Sequence, residues 1–470
     1  GGMCMKKLLN WIIPAVFGIG LWFIPTPEGL TPQSWHLFAI FVATIVGFIT
    51  QPLPIGGVSI VVITVAALTG TLKIGEAISG FANSAIWLIV GAFLFSRGFI
   101  KTGLGKRIAY NLIAAFGSSS LRLSYALALS DLILAPATPS NTARVGGVIM
   151  PITTSLAKAF GSEPQDGPRK IGSFLMQSIY QVNTITSAMF QTSMAGNTLV
   201  AALALQSFGI GITWGDWAMA AIVPGIIALI IMPYFIYKVY PPEIKDAREA
   251  QQMIREELKG LGKMSFQEWV MLGVFVLALV LWATSQFTKI DATTVAFLGI
   301  SILLATSVLV WDDVKSEKGA WDTLVWMGTL MGFAGFLSKL GFIKWATVLV
   351  GGYIPEGSWI IAFVIAVLIN TYSHYVFASL TAHISAMFVA FSAIAISAGA
   401  PPMLTLLMIA FTSNLCMSLT HYAAGPSPVI FNTGYVPQNT WWKLGFFSSV
   451  INLIIFVGLG SIWMKAIGMW

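Results

Sequence analysis

The chain has 470 residues, of which 57% are hydrophobic and only 9% are charged, and its mean hydropathy is +0.83. A soluble core cannot bury so much apolar surface, so the composition excludes a soluble globular protein and predicts an all-α, polytopic membrane protein. The net charge of +7 is expected to reflect membrane topology and not nucleic-acid binding. Two cysteines, Cys4 and Cys416, are too few for a disulfide framework.

The N-terminal segment, 1–34, contains an apolar window at 8–24 that follows Lys6 and Lys7. Pro14 interrupts the pattern of a signal peptide, and no small-residue cleavage site follows the window. We therefore expect a retained first helix and a linker.

Apolar windows then predict a first half at 35–237, a charged connector at 238–268 and a second half at 269–470. Each half has, in the same order, three crossings, a doubled segment, a broken crossing and a last crossing. The doubled segments, at about 120–160 and 358–399, have the length of re-entrant hairpins. Each half then crosses the membrane an odd number of times, which predicts an inverted-topology repeat.

Residues repeat along with the hydropathy pattern. At one constant offset, four residues of the first half, Trp87, Ser140, Thr142 and Ala143, recur as Trp326, Ser379, Thr381 and Ala382. At closely similar offsets, Gly103 and Lys106 recur as Gly341 and Lys344, and Ala195-Gly196-Asn197-Thr198 recurs as Ala424-Gly425-Pro426-Ser427.

The positions of lysine and arginine test this topology. If the N-terminus is cytoplasmic, the residues of these two types that fall on the predicted outside are Lys73, Lys289, Lys339, Lys344 and Lys465, out of 25 in the chain. Apart from Arg144, at the tip of the first hairpin, the others fall on the inside. We therefore predict a cytoplasmic N-terminus, an outside C-terminus, and a first hairpin that opens from the cytoplasm.

The two hairpins carry related motifs at their midpoints, Ser140-Asn141-Thr142-Ala143-Arg144 and Ser379-Leu380-Thr381-Ala382-His383. Pro136 and Pro139 interrupt the first hairpin just before its motif, so a new half-helix should begin at the serine. Two opposed half-helix N-termini at mid-depth would attract a substrate with two separated anionic groups. Close helix packing by the small residues is the alternative reading.

Arg144 is costly at bilayer depth, so it either contacts a substrate carboxylate, directly or through a neighbour, or forms an ion pair with Asp131. Three of the four histidines, His374, His383 and His421, lie in the second-half site region and indicate a polar cavity. No carboxylate or cysteine lies at ligand spacing from them, so no metal is expected. A serine–histidine hydrolase using Ser379 and His383 is an alternative, but it lacks an acidic partner.

The chain resembles the divalent anion/sodium symporter family over nearly its whole length. The residues that carry this resemblance are Gln51-Pro52-Leu53-Pro54, the first-tip motif Ser140-Asn141-Thr142 and the second Ser-x-Thr at the opposite tip. The run from Ser140 to Val148 is similar to the branch of plant 2-oxoglutarate/malate translocators and bacterial citrate/succinate and tartrate/succinate antiporters. The resemblance implies a homodimer with eleven transmembrane helices, two re-entrant hairpins, a scaffold domain and an elevator-type transport domain. It assigns substrate contact to Ser140, Asn141, Thr142, Ser379, Leu380 and Thr381, beside helix breaks at Gly196-Asn197 and Gly425-Pro426.

One departure from the family pattern bears on coupling. Sodium-coupled members carry asparagine at the middle of both tips, whereas this chain has Leu380 at the second, and leucine offers sodium no oxygen. Arg144, His383 and His421 could supply positive charge in place of sodium. We therefore predict a sodium-independent exchanger of C4 and C5 dicarboxylates, such as 2-oxoglutarate, malate and succinate, in the cell membrane, without a cofactor. A sodium-coupled di- or tricarboxylate symporter is the alternative.

Overall fold

The computed structural model describes residues 2–354, 357 and 359–470, and the described residues form helices joined by turns. The helices that precede the charged connector are α1 (Gly2–Phe23), α2 (Pro32–Thr50), α3 (Ile55–Leu68), α4 (Ile74–Ala77), α5 (Ser84–Thr102), α6 (Leu104–Phe116), α7 (Ser120–Leu134), α8 (Met150–Ala159), α9 (Gly172–Met189), α10 (Ala195–Phe208) and α11 (Trp214–Val239). A π-helical segment, Thr142–Ile149, runs directly into α8.

The connector contains α12 (Arg248–Leu261). The helices that follow it are α13 (Phe266–Ala283), α14 (Ser285–Thr288), α15 (Ala292–Ala305), α16 (Trp311–Ser316), α17 (Lys318–Lys339), α18 (Phe342–Gly351), α19 (Trp359–Tyr372), α20 (Leu380–Ser397), α21 (Pro402–Leu415), α22 (Pro426–Phe431), α23 (Gln438–Leu453) and α24 (Ser461–Ala466). A short π-helical segment joins α23 to α24.

The multi-pass membrane architecture predicted from composition is confirmed. Among the described residues, eight helices are long and apolar enough to cross a membrane, or nine if the bent pair α17–α18 forms one span. Three shorter apolar helices, at 55–68, 292–305 and 402–418, accompany them. The count of eleven crossings stays a prediction.

The element order is the same in both halves. A long helix (α5 or α17) turns sharply into a shorter one (α6 or α18), followed by two packed helices, a broken helix and a long final helix. The sharp turns occur at Gly103 and Gly341, whose φ angles are 76° and 85°. Only glycine adopts this left-handed conformation without strain, which explains why this pair recurs in the sequence.

The connector is attached to the first half by main-chain hydrogen bonds. The Ser120 amide donates to the Lys245 carbonyl at 2.9 Å, and the Ala247 amide donates to the Ser118 carbonyl at 3.0 Å. Hydrogen bonds from Arg248 lower the pKa of the neighbouring Asp246 carboxyl to about 2. The connector is therefore an ordered element that contacts the start of the first predicted hairpin.

Candidate functional site

Each hairpin tip begins a helix with a serine cap. Ser140 Oγ accepts a hydrogen bond from the Ala143 amide at 3.1 Å, and Ser379 Oγ accepts one from the Ala382 amide at 3.2 Å. The first amides of a helix have no partner inside the helix, and they carry the positive end of its dipole. The structure therefore has a serine-capped helix N-terminus at each copy of the repeated motif.

The two tips face one cavity of about 200 Å³. Its wall contains Ser140 and Asn141 from the first tip and Ser379, Leu380 and Thr381 from the second. The remaining lining residues are Phe93, Pro139, Met194, Ala195, Ala378, Ala424 and Gly425. None of these lining residues has an ionisable side chain, so the polar character of the wall comes from hydroxyl, amide and main-chain groups.

Thr142 lies behind the cavity wall. A β-carbon on Gly425 would stand 2.1 Å from Thr142 Oγ1, so this glycine allows the first tip to approach the second broken helix closely. Pro426 follows as the first residue of α22 and is buried. Thr142 and Pro426 therefore fix the relative position of the two segments, while Gly425 itself reaches the cavity.

The first helix break lies earlier than the sequence suggested. Helix α9 ends at Met189 and α10 begins at Ala195, so the break spans 190–194 and Gly196-Asn197 belong to the first turn of α10. Asn197 is buried, donates to the carbonyls of Ser187 and Phe190, and accepts from Asn414. With all these bonds inside the protein, Asn197 ties α10 to its neighbours. Met194 and Ala195, and not Gly196 and Asn197, line the cavity.

Arg144 forms the ion pair with Asp131 that the sequence left open. Its Nε donates to Asp131 Oδ1 at 2.6 Å, and both side chains are buried. The remaining guanidinium N–H groups bind the Thr138 carbonyl, the Ser193 carbonyl at 2.9 Å, Thr186 Oγ1 at 3.4 Å and Ser187 Oγ at 3.2 Å.

These contacts use all five donors of the guanidinium. In this conformation Arg144 has no donor left for a substrate carboxylate, and its charge is balanced by Asp131. Of the alternatives that the sequence left open, these contacts match the ion pair, in which Arg144 holds the first tip against α9 and the 190–194 break. A role of Arg144 toward the substrate stays a prediction.

The second tip has a hydrogen-bonded histidine pair in the corresponding place. His374 Nδ1 lies 2.8 Å from His383 Nδ1, His374 Nε2 lies 2.7 Å from the Ala423 carbonyl, and His383 Nε2 lies 3.1 Å from Ser373 Oγ. Both rings are buried. The offset that relates Arg144 to His383 also relates Asp131 to Asn370, which donates to Thr412 and Ser413 on α21. Polar contacts at equivalent positions thus connect each hairpin to the broken helix that follows it.

His421 lies outside both networks. Its Nδ1 accepts a hydrogen bond from Trp442 Nε1 at 2.9 Å, and its ring packs among aromatic side chains. It is half-buried and absent from the lining of the cavity between the tips.

The fold also brings Cys416 close to the histidine pair, which the sequence spacing did not indicate. The ligand atoms of Cys416, His374 and His383 lie within 4.8 Å of one another. The two ring nitrogens that face each other share a hydrogen bond at 2.8 Å, whereas nitrogens bound to one tetrahedral zinc at about 2.0–2.1 Å each would lie roughly 3.3 Å apart. We do not assign a metal site here, and the absence of a bound metal stays a prediction.

Phe93, Met194 and Ala195 are lining residues that the motif analysis missed. Phe93 lies on α5, outside both hairpins, and no local pattern marks it for the site. Met194 and Ala195 could have been found only by placing the α9–α10 break a few residues earlier. The polar run Gln191-Thr192-Ser193 is the signal in the sequence that could have placed it there.

Comparison with known proteins fixes the family. The family model described as "Sodium:sulfate symporter transmembrane region" matches residues 5–470. The chain belongs to the divalent anion/sodium symporter family. The family makes it a transporter and not an enzyme, so the hydrolase alternative is excluded. In agreement, His383 Nε2 bonds to Ser373, not to Ser379.

Named relatives cover the whole chain. It is 52% identical over 471 residues to "Putative malate transporter YflS" of Bacillus subtilis, which covers 100% of this chain and 98% of the relative. It is 46% identical to chloroplastic dicarboxylate transporter 1 of Spinacia oleracea, covering 100% and 82%. The solved structure of the Alcanivorax borkumensis YdaH transporter matches with a TM-score of 0.54 at 12% identity, covering 98% of this chain and 97% of that chain, which supports the fold alone.

Proposed function

We propose that this protein is a sodium-independent exchanger of C4 and C5 dicarboxylates, such as malate, succinate and 2-oxoglutarate, across the cell membrane. The relatives named as malate and dicarboxylate transporters support the substrate class. The observation that carries the exchange proposal is Leu380, which lies in the wall of the cavity between the two serine-capped tips.

The cavity suits a small dianion. Its volume of about 200 Å³ is below the ~300–1,000 Å³ typical of sites for drug-sized ligands. Two helix N-termini face it from opposite hairpins, so each could receive one carboxylate of the same molecule. Hydroxyl groups of Ser140, Ser379 and Thr381 can donate additional hydrogen bonds.

Leu380 argues against a sodium ion at the second tip. Sodium requires oxygen ligands, and the side chain between Ser379 and Thr381 supplies none. His383 stands in the first turn of α20, where its ring nitrogens are engaged by Ser373 and His374. At the first tip, the Arg144 amide donates to the Ser140 carbonyl at 3.0 Å, and the Arg144 side chain is paired with Asp131.

Arg144, His383 and His421 are proposed to stabilise by their contacts, and not by net positive charge, the segments that sodium would stabilise in a symporter. Arg144 and Asp131 form a neutral pair, so Arg144 stabilises the first tip without adding net charge to the site. His383 stabilises the second tip through its hydrogen bonds, and His421 supports the aromatic cluster next to α22.

Exchange follows from the energetics of the empty site. Without substrate or sodium, two sets of helix amides and the surrounding hydroxyl groups would have to cross the apolar scaffold without partners. Each unsatisfied buried polar group costs about 1–3 kcal/mol. A bound dicarboxylate supplies those partners, so return of the carrier should be fast only with an exchange substrate.

The remaining features belong to the same proposal. The transport domain comprises the hairpins, α9–α10 and α21–α22, and it moves in an elevator motion against a scaffold that includes α5 and α17. The protein is a homodimer with a cytoplasmic N-terminus and an outside C-terminus, and its halves form an inverted repeat. Membrane lipid is its other partner.

A sodium-coupled symporter remains the second candidate, because Asn141 at the first tip matches the sodium-coupled pattern and lines the cavity. Calorimetric titration of the purified protein with malate, in sodium chloride and in choline chloride at constant ionic strength, separates the two. We expect equal dissociation constants. Affinity that rises several-fold in sodium would replace the exchanger with the symporter.

A further inference from the structure

We propose that binding of a dicarboxylate dianion is coupled to the uptake of one proton by the His374–His383 pair. This inference rests on the proposed function, because it concerns the charge balance of that same substrate. It starts from the absence of cationic side chains in the wall of the cavity. Arg144, the nearest guanidinium below the first tip, is neutralised by Asp131.

The hydrogen bonds determine the tautomers of the pair. The Ala423 carbonyl can only accept, so His374 Nε2 carries a hydrogen, and in a neutral ring its Nδ1 must then accept. His383 Nδ1 therefore donates to His374 Nδ1, and His383 Nε2 accepts from the Ser373 hydroxyl. The two ring planes are inclined by 17° and their centroids are 5.0 Å apart, which is compatible with a hydrogen bond between the two Nδ1 atoms. In this arrangement both rings are neutral.

The same network can accept one additional proton. If His383 Nε2 gains a hydrogen, it can donate to Ser373 Oγ, whose own hydroxyl can turn to the Asn370 carbonyl 3.2 Å away. Every donor then still has an acceptor. A second proton would have to bind His374 Nδ1, which already accepts from His383. The pair therefore holds one extra proton and no more.

In the empty carrier this proton is unfavourable. Both rings are buried, and His383 lies in the first turn of α20, where the helix dipole repels positive charge. The Cys416 thiol lies within 4.8 Å of the ring nitrogens. Tyr375 follows His374 in the chain, and its main-chain carbonyl accepts a hydrogen bond from the Tyr422 hydroxyl. Phe377 stacks on His383 with ring centroids 4.5 Å apart. Among the described residues, no carboxylate, lysine or arginine hydrogen-bonds to either ring.

A dianion in the cavity changes this balance. His383 lies one helical turn beyond Ser379, on the same face of α20, and its amide donates to the Ser379 carbonyl at 3.2 Å. His374 Nε2 bonds to the carbonyl of Ala423, the residue before Ala424 and Gly425, so both rings lie directly behind residues of the cavity wall. An opposite charge within ~4–6 Å favours the charged form of a titratable group. The substrate therefore supplies the counter-charge that the empty site lacks, and one proton accompanies each dianion.

Calorimetry can count this proton. Malate is titrated into the full-length protein at one pH in phosphate and in Tris, whose ionisation enthalpies differ, and the change in observed enthalpy gives the protons taken up. We expect about one proton per malate. Because the bound state holds the extra proton, affinity should fall as the pH rises above about 6, where malate is a dianion, by up to tenfold per pH unit until the bound pair also loses the proton.

Variants locate the proton site. H374Q and H383Q should bind malate more weakly, with no linked proton and with an affinity that does not change with pH. The matched control H36Q, in a histidine that stacks on Trp22 away from the site, and C416A should both retain uptake of one proton. If H374Q or H383Q does not fold, the number of protons taken up per malate by the wild type and by S373A still tests the proposal. S373A lacks the acceptor for the protonated His383 Nε2, so it should take up fewer protons than the wild type.

Malate binding by the wild type without proton uptake would overturn the proposal while leaving the exchanger intact. Proton uptake that survives in H374Q but disappears in a His421→Gln variant would also overturn it. Failure of the folded wild type to bind any dicarboxylate at any pH would refute the proposed function and this coupling together.

Discussion

A β-carbon at position 425 would lie 2.1 Å from Thr142 Oγ1, so Gly425 and Thr142 hold the first hairpin tip against the second broken helix. No side chain fits between them unless one of the two segments moves. Because Gly425 also lines the cavity, a change in this contact would displace part of the cavity wall.

Substitution of this glycine should therefore damage transport. G425A is expected to lower the exchange rate at least tenfold and to lower the thermal unfolding temperature, because the added methyl group displaces the first tip. The control is G147A, in the same hairpin, where a β-carbon would meet no atom within 4 Å. Equal exchange rates for the two variants in reconstituted vesicles would contradict this assignment.

The Arg144–Asp131 pair predicts a non-additive effect on stability. Removing one partner of a buried pair leaves an uncompensated charge and costs about 3–5 kcal/mol. R144A and D131N should each lower the unfolding temperature in detergent and abolish exchange. The double variant R144Q/D131N should be more stable than either single variant, since it leaves no isolated charge.

R144K tests whether a positive charge alone can replace the Arg144 side chain. R144K should not restore exchange, because an ammonium group cannot reproduce five directed hydrogen bonds. If R144A folds normally and exchanges at the wild-type rate, Arg144 has neither role.

The serine caps predict a loss of affinity at both tips. S379A removes a cavity hydroxyl and the cap of α20, and the cap alone is worth about 1 kcal/mol. We expect weaker malate binding by S379A and by its counterpart S140A, with partial recovery in S379T. T142A should lower the exchange rate through the Gly425 contact. Calorimetry checks the affinities, with S397A at the far end of α20 as control. Wild-type affinity in both cap variants would remove these serines from the binding site.

The helix starts at Ser140 and Ser379 agree with the sequence analysis because their signals are local. Proline breaks, a serine that can cap a helix, and a repeat of the same pattern require no knowledge of distant contacts. Gly103 and Gly341 were visible in the sequence only as a repeated pair, and the structure shows that both form sharp turns. Their left-handed conformation depends on the residue itself.

Other parts of the site depend on packing between distant segments. Arg144 and Asp131 lie in one hairpin, but only the positions of Thr186, Ser187 and Ser193 show that every guanidinium donor is already used. The approach of Cys416 to the histidine pair likewise results from how α21 packs on the second hairpin. Such contacts have no periodicity or spacing that a single sequence could reveal.

We predict that a single substitution at Leu380 does not produce sodium coupling. L380N adds an oxygen at the second tip but leaves His383 and His374 with their hydrogen bonds, so a full set of sodium ligands is still missing. We expect the malate affinity of L380N to be the same in sodium and in choline. A sodium-dependent affinity in L380N alone would show that Leu380 is the only obstacle to an ion.

Uptake of labelled malate by proteoliposomes tests the central claim most directly. Vesicles loaded with unlabelled malate are compared with vesicles loaded with chloride, both without sodium, and a third set receives an inward sodium gradient. We predict rapid uptake only where internal malate is present, and no stimulation by sodium. Uptake into chloride-loaded vesicles driven by the sodium gradient would contradict the exchanger and establish a symporter.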